Sequence, residues 1–317
     1  MRPAGSSLGS ASRTDPLSRN FFKRTIRMPR ILNLGSINLD HVYRVPHFVR
    51  PGETLSSNEY SLGFGGKGFN QSIALARAGA RVVHAGAVGK DGRALLERLR
   101  TEGVDAGRVA QVDGATGHAV IQVDPSGQNA IVIHGGANAG VTPENFDTFF
   151  RGFGPGDHFL CQNETSAVPE ALVRARKEGL TVWFNPAPMS EAAADYPFET
   201  VDWLVVNETE GGDLSGARTP ETIIETLRKR FPRLSVVLTL GGDGVIVASG
   251  GTTFQIPAHA VETVDTTAAG DTFIGYFVAG VMHGDNREEA ARRAARAAAL
   301  CVARPGAADS IPRRNEL

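Results

Sequence analysis

The sequence predicts an α/β protein: a mostly parallel sheet covered by helices on both faces, with a small β-sheet lid over its mouth. Three observations predict this. Short, nearly continuous apolar runs occupy residues 31–35, 81–88, 157–161, 180–184, 201–206 and 236–240. Strands apolar on both sides belong to sheets buried on both faces, which favours parallel pairing. Segments of helical period stand between several of these runs, at 92–102, 169–178 and 219–231, and such alternation builds a helix-covered parallel sheet. Two segments, about 41–64 and 117–135, have strand character with no helix beside them; they are the expected lid.

The elements follow in order. Residues 1–28 are rich in Ser, Arg and Pro and poor in acid. A transit peptide would have that composition. Met28-Pro-Arg stands directly before the first strand, so a disordered tail or an extension from an upstream start is the expectation. Residues 29–317 are then the folded unit. Ile-Leu-Asn-Leu-Gly at 31–35 reads as a buried strand, and Asn38 and Asp40 fall on one face at its end, where ligands of open α/β sheets bind. Pro46 and Pro51-Gly52 punctuate the first lid segment. Gly-Gly-Lys-Gly-Phe-Asn-Gln at 65–71 opens a helix through Ala78. Its glycines permit close backbone approach, and Lys67 and Asn70 add donors. The spacing is not that of a Walker A loop, and packing alone would also explain the glycines.

The helix at 92–102 turns Leu95, Leu96 and Leu99 inward. Residues 118–124 and 129–134 flank Pro-Ser-Gly-Gln, a hairpin signature. A late antiparallel hairpin is expected at 244–248 and 252–256. The apolar run 273–282 has core-helix length, and 288–303 is an alanine-rich amphipathic helix. The strand ends are polar: Gln-Asn-Glu at 162–164, Asn-Pro-Ala-Pro at 185–188, Asn-Glu-Thr-Glu at 207–210, and Thr-Leu-Gly-Gly-Asp-Gly at 239–244. Gathered at one sheet edge, such groups suit phosphate, metal and hydroxyls.

Composition excludes several classes. Lys and Arg number 33 against 34 Asp and Glu, which argues against a nucleic-acid surface or a polybasic membrane contact. Cys161 and Cys301 form neither a disulfide framework nor a metal-binding spacing, which fits a reducing, cytoplasmic setting. No apolar run reaches membrane-span length.

The stretch Val-Asp-Thr-Thr-Ala-Ala-Gly-Asp-Thr-Phe at 264–273 carries the chemistry. Its small residues allow a tight turn, and a helix is expected to start at Gly270 or Asp271. The free amides and dipole of a helix start attract phosphate or a developing anion. Asp271 stands there as a carboxylate able to take a proton. Asp is also a common helix cap, and by itself the stretch could be no more than that. An anion hole beside a base is what phosphoryl transfer to a hydroxyl requires.

Six motifs occur in order: 35–40, 65–71, 185–188, 207–210, 239–244 and 265–271. From about residue 30 to 312 the chain resembles the pfkB carbohydrate kinase (ribokinase-like) family. The resemblance implies ATP-dependent phosphorylation of a sugar, most closely the 5-hydroxyl of D-ribose. It makes Asp271 the catalytic base and Ala268, Ala269 and Gly270 the anion hole. It implies a sugar-binding set of Asn38, Asp40, Gly66, Lys67, Gly68, Asn70 and Glu164. Asn207 and Glu210 would organise Mg²⁺ through water. Thr239, Leu240, Gly241, Gly242, Asp243 and Gly244 would run along the nucleotide with Gly270 and Asn207. A K⁺ site would draw on Asp265, Thr267, Cys301, Arg304, Gly306 and Ser310. Phe69 departs from the family's small residue, and Ala295 from its Asn or His near the base. Deoxyribose, fructose or a nucleoside are alternative acceptors, and a non-catalytic sugar-binding regulator is a further reading. A dinucleotide dehydrogenase is disfavoured, because no Gly-x-Gly-x-x-Gly follows the first strand. An apolar lid face would pair with its twin, giving a homodimer.

Overall fold

The apolar run at 31–35 becomes β1 (Arg30–Leu34), buried at four of its five positions. The computed structural model describes residues 28–317, so the expectation for the first 27 residues lies outside the described residues. The other strands are β2 (Asn38–Arg44), β3 (Glu59–Gly65), β4 (Arg81–Val88), β5 (Asp105–Gln111), β6 (Gly117–Val123), β7 (Asn129–His134), β8 (His158–Gln162), β9 (Thr181–Asn185), β10 (Trp203–Asn207), β11 (Ser235–Thr239), β12 (Val245–Ser249) and β13 (Thr252–Ile256). The helices are α1 (Lys67–Arg77), α2 (Arg93–Thr101), α3 (Phe146–Phe149), α4 (Val168–Lys177), α5 (Glu208–Ser215), α6 (Pro220–Arg230), α7 (Ala269–Met282) and α8 (Arg287–Val302). Among the described residues no helix is long and apolar enough to cross a membrane.

The large sheet has nine strands in the order β13-β12-β11-β10-β9-β8-β1-β4-β5. It is parallel from β11 to β5, and β12 and β13 add an antiparallel edge. Successive side chains of a strand point to opposite faces. Ile31 accordingly packs in one apolar cluster, with Ile73, Phe277 and Ala294 from α1, α7 and α8. Leu32 and Leu34 pack in the other, with Leu172, Ile223 and Leu227 from α4 and α6. Helices therefore cover both faces, as the apolar runs required.

Three elements, β5, α3 and α5, are absent from the expectation; α3 is a single turn, too short to show a period. β5 has no apolar run, because it is an edge strand with much of its length half-buried or exposed. α5 is short and contains two glycines; what starts it is a capping box between Asn207 and Glu210.

The lid is a four-stranded sheet, order β3-β2-β6-β7. Its central pair, β2 and β6, is parallel. Asn38 and Asp40 are the first and third residues of β2, so they sit on the lid and not at the end of β1. The chain leaves the large sheet within three residues, at 35–37, where no sequence period marks the change. Leu62, Val132 and Ile133 of the lid are about half exposed or more. Phe64 of β3 meets Phe69 of α1 edge-on at 6.5 Å. Phe69 itself is fully buried, so its ring joins lid to core and offers no surface to a ligand.

Two close contacts fix α1. A Cβ on Gly68 would lie 2.5 Å from the Cα and carbonyl carbon of Gly35, so the helix start rests directly on the turn after β1. At the other end, the buried Arg77 pairs with Glu102 at 2.6 Å. Arg77 also donates to the carbonyls of Ala308 and Ile311, and Tyr276 donates to that of Pro312 at 2.7 Å. The C-terminal segment is thereby tied to α1 and α7.

Candidate active site

α7 begins at Ala269, one residue before the sequence expectation. Ala268 precedes it with φ 61°, a left-handed conformation that costs a non-glycine residue about 1–2 kcal/mol. This turn points the first amides of the helix outward. Among the described residues the amides of Ala268, Gly270 and Asp271 have no hydrogen-bond partner. The Ala269 amide, also expected in the anion hole, instead reaches the Thr266 carbonyl at 3.3 Å.

Asp271 is buried, and each carboxylate oxygen accepts one amide proton. Gln71 donates to Oδ1 at 2.8 Å and Asn70 to Oδ2 at 3.1 Å. The carboxylate opens on a cleft of about 220 Å³ that it shares with Lys67, Asn207, Glu210, Thr239 and Gly270.

Of the expected sugar-binding residues Lys67 lines this cleft, and Asn70 reaches it through its bond to Asp271. Glu164 accepts from the Lys67 amide at 3.0 Å and from the Ser36 hydroxyl. Asn38 accepts from Asn138 at 2.7 Å. Gly66 stands at φ 93°, a conformation glycine adopts without strain. Asn70 Oδ1 is buried without a partner among the described residues; such an acceptor is costly unless something donates to it. Burial, with the charge of Glu164, raises the Asp40 pKa to about 6. Burial alone would lower Lys67, but Asp271, Glu164 and Glu210 outweigh it and hold the ammonium above its ordinary value. Gly68 differs from the rest: its contacts are with Gly35, and its carbonyl accepts from Asn33 at 2.8 Å, so it serves packing and not ligand contact.

A second groove of about 490 Å³ adjoins the cleft, sharing Thr239 and Gly270. Gly241, Gly242, Gly244 and Ala295 line it. Leu240 is a correction: its side chain belongs to the apolar core. Asp243 stands outside the groove lining. The opposite wall, from Ala258 to Val261 with Thr263, was missed, because residues 257–263 carry neither period nor motif. The small side chain at 295 leaves the groove open where a larger one would narrow it.

Asn207 and Glu210 cap each other: Asn207 Oδ1 accepts from the Glu210 amide at 2.8 Å, and Glu210 Oε2 from the Asn207 amide at 3.0 Å. Burial raises the Glu210 pKa against that bond and Lys67. A partly buried carboxylate beside the cleft, short of compensating charge, fits a water-coordinated divalent cation.

The segment after α8 folds back as expected. Val302 accepts from the amides of Val264 and Asp265. The two Asp265 oxygens take the Thr267 and Gly306 amides at 2.8 and 3.0 Å. Ser310 Oγ lies 3.0 Å from Cys301 Sγ, and that thiol reaches the Thr267 carbonyl. Arg304 commits its side chain to Glu316, leaving its carbonyl as the available ligand. Among the described residues no group of three His, Cys, Asp or Glu could hold a metal. The donor set here is one carboxylate, a hydroxyl and carbonyls, which fits a large, weakly hydrated monovalent cation.

Residues 28–314 match the profile of the pfkB family carbohydrate kinases. A ribokinase of Haemophilus influenzae is 37% identical over 292 residues, covering 89% of this chain and 95% of that one. The crystal structure of ribokinase from Cryptococcus neoformans var. grubii serotype A in complex with ADP superposes with a TM-score of 0.79 at 37% identity, over 91% of this chain and 98% of that one. Arabidopsis thaliana ribokinase complexed with ribose and ATP gives a TM-score of 0.81 at 31% identity, over 91% and 97%.

Proposed function

The chain belongs to the pfkB family of carbohydrate kinases, and from that premise we infer that it is an ATP-dependent ribose kinase, converting D-ribose and ATP to ribose 5-phosphate and ADP. One observation carries the chemistry. Asp271 sits between the lid-side polar set and the second groove, its oxygens held by two amides, beside helix-start amides that have no partner. Asp271 takes the proton of the 5-hydroxyl as its oxygen bonds to the γ-phosphorus and the bond to ADP breaks. The free amides of Ala268 and Gly270 and the Lys67 ammonium face the developing charge. Asn38, Asp40, Asn70 and Glu164 bond the remaining hydroxyls. The ATP lies along Thr239 and the glycines to Gly244. Asn207 and Glu210 would hold Mg²⁺ through water, and the ion would supply charge neutralisation there.

The test is ADP release with ribose, deoxyribose, fructose and adenosine as acceptors. Ribose is expected to give the highest kcat/KM, and a preference for any other acceptor overturns the assignment. The buried Phe69 supports an ordinary sugar pocket.

Asp40 sets a pH limit. Its carboxyl is protonated below about pH 6 in the free protein, and a protonated carboxyl is a poorer acceptor for sugar hydroxyls. The kcat/KM for ribose is therefore expected to fall roughly tenfold per pH unit below 6. In Asp40→Asn this limb should vanish at a lower plateau; a limb that persists there belongs to another group.

Asp265, Thr267, Cys301, Arg304, Gly306 and Ser310 are read as a K⁺ site. The ion would touch no substrate and would stiffen the loop that ends at Ala268. Removing K⁺, with a bulky organic cation as replacement, is expected to lower kcat roughly 10- to 100-fold with little change in KM. Asp265→Ala should lose the response to added KCl. A wild-type rate indifferent to K⁺ removes the site.

The exposed Leu62, Val132 and Ile133 support pairing of lids into a homodimer. Light scattering at micromolar concentration should give twice the chain mass, and monomer alone rejects the pairing. Two buried free cysteines suit a cytoplasmic setting.

A further inference from the structure

Behind Asp271 lies a row of buried polar side chains that the proposed chemistry does not use. Asn33, Gln71, Ser72, His84 and Gln162 are all fully buried, and Asn185 is nearly so. Each hydrogen bond has one possible donor: they diverge from Gln162 toward Gly35 and toward Asp271, and backbone carbonyls fix them at both ends.

At the far end, His84 Nε2 meets the Gly35 carbonyl at 3.2 Å. A carbonyl only accepts, so Nε2 carries the proton. Burial lowers the His84 pKa to about 4, which leaves the ring neutral and Nδ1 an acceptor. Ser72 therefore donates its hydroxyl proton to Nδ1, at 2.7 Å. The Ser72 oxygen then accepts from Asn33 Nδ2 at 2.8 Å, and the same nitrogen donates to the Gly68 carbonyl. Asn33 Oδ1 must in turn accept, and Gln162 Nε2 donates to it at 3.0 Å. The Gln162 nitrogen also donates to Gln71 Oε1 at 2.6 Å. Gln71 is left with its N–H groups facing Asp271 Oδ1 and Asn185 Oδ1. From the near end the result agrees. Asn185 Nδ2 donates to the Val205 carbonyl at 2.9 Å, so Asn185 turns its oxygen to Gln71.

Gln162 Oε1 is buried with no partner among the described residues. Rotating that amide would set its oxygen against two acceptors, Asn33 Oδ1 and Gln71 Oε1. The orphan oxygen is the cost of keeping N–H groups on the side that faces Gln71.

We propose that Gln71 is a positioning residue for Asp271: the chain from Gly35 through Gln162, in which no amide can turn over, locks the Gln71 amide so that a donor always faces the carboxylate and keeps it aimed at the acceptor hydroxyl. This rests on the reading of Asp271 as the base. Asn70, the other donor, sits in the sugar-facing set with its own oxygen unpartnered; Gln71 touches no substrate surface, being wholly buried.

The test uses Gln71→Met, which keeps shape and removes the donor, and Gln162→Met, which breaks the chain one step back and leaves Asp271 with both its donors. Thermal melts identify any variant that fails to fold. For Gln71→Met the expected result is a kcat lower by roughly 10- to 100-fold, with KM for ribose within about threefold. Gln162→Met should lower kcat in the same way by less. Made in an Asp271→Asn background, Gln71→Met should lower kcat no further. Equal losses in both backgrounds, or a KM that rises as kcat falls, would reduce Gln71 to core packing and overturn the proposal. Near-full turnover of Asp271→Asn alone would overturn it differently, by removing the base it serves.

Discussion

Asp271→Asn is expected to lower kcat by about 10²–10⁴-fold, the usual loss when a general base is removed. The substitution keeps the shape of the side chain and deletes the proton acceptor. It should leave nucleotide binding unchanged, since the groove beside Thr239 and the glycines to Gly244 does not include this carboxylate. It should not leave stability unchanged. The new side-chain amide would turn its NH₂ group toward a donor, because Gln71 and Asn70 both present N–H groups there. One buried donor then loses its acceptor, at roughly 1–3 kcal/mol. Steady-state kinetics, a nucleotide titration and a melting curve on the same preparation separate these effects. Turnover within a few-fold of wild type would take Asp271 out of the mechanism.

Gly68→Ala is expected to damage both the fold and the site. The added carbon would sit 2.5 Å from two Gly35 backbone atoms and 2.6 Å from the Ser36 nitrogen. Backbone on both sides leaves no side chain to rotate away. The helix start must lift off the turn after β1, and Lys67, Asn70 and Gln71 move with it. Overpacking of this kind costs roughly 1–3 kcal/mol or more. A displacement near 1 Å at a reacting site costs about 10²-fold in rate. The melting temperature and kcat/KM should both fall. A variant with wild-type values of both would show that α1 is not pinned by this contact.

How much of this was legible in the sequence depended on burial. β1, β4 and β8 to β11 could be read because both their faces are covered, so apolar residues run on without interruption. β5 could not, because an edge strand needs apolar residues on one side only. The lid announced itself by alternation, yet the placement of Asn38 and Asp40 did not, since a strand changing sheets leaves the period intact. Short-range chemistry made the start of α7 at Gly270-Asp271 legible to within one residue, whereas the Asn207–Glu210 cap and the helix it starts were not read. The site was hidden where distant residues meet. Gln71 lies 200 positions from Asp271, and Gln162 lies 129 from Asn33; neither partner can be inferred from its neighbours. The wall at 257–263 is irregular chain, shaped by what it packs on.

The tie between Arg77 and the carbonyls of Ala308 and Ile311 has a consequence for biosynthesis. α1 leaves the ribosome long before its anchor, which lies 231 residues later in the chain. Tyr276 waits likewise for Pro312, and Asp265 for Gly306. Domains fold as units during synthesis at roughly 5–20 residues per second, and here the unit closes only when the segment from Gly306 to Pro312 is free. A nascent chain that ends before that segment therefore holds Lys67, Asn70 and Gln71 on an unmoored helix.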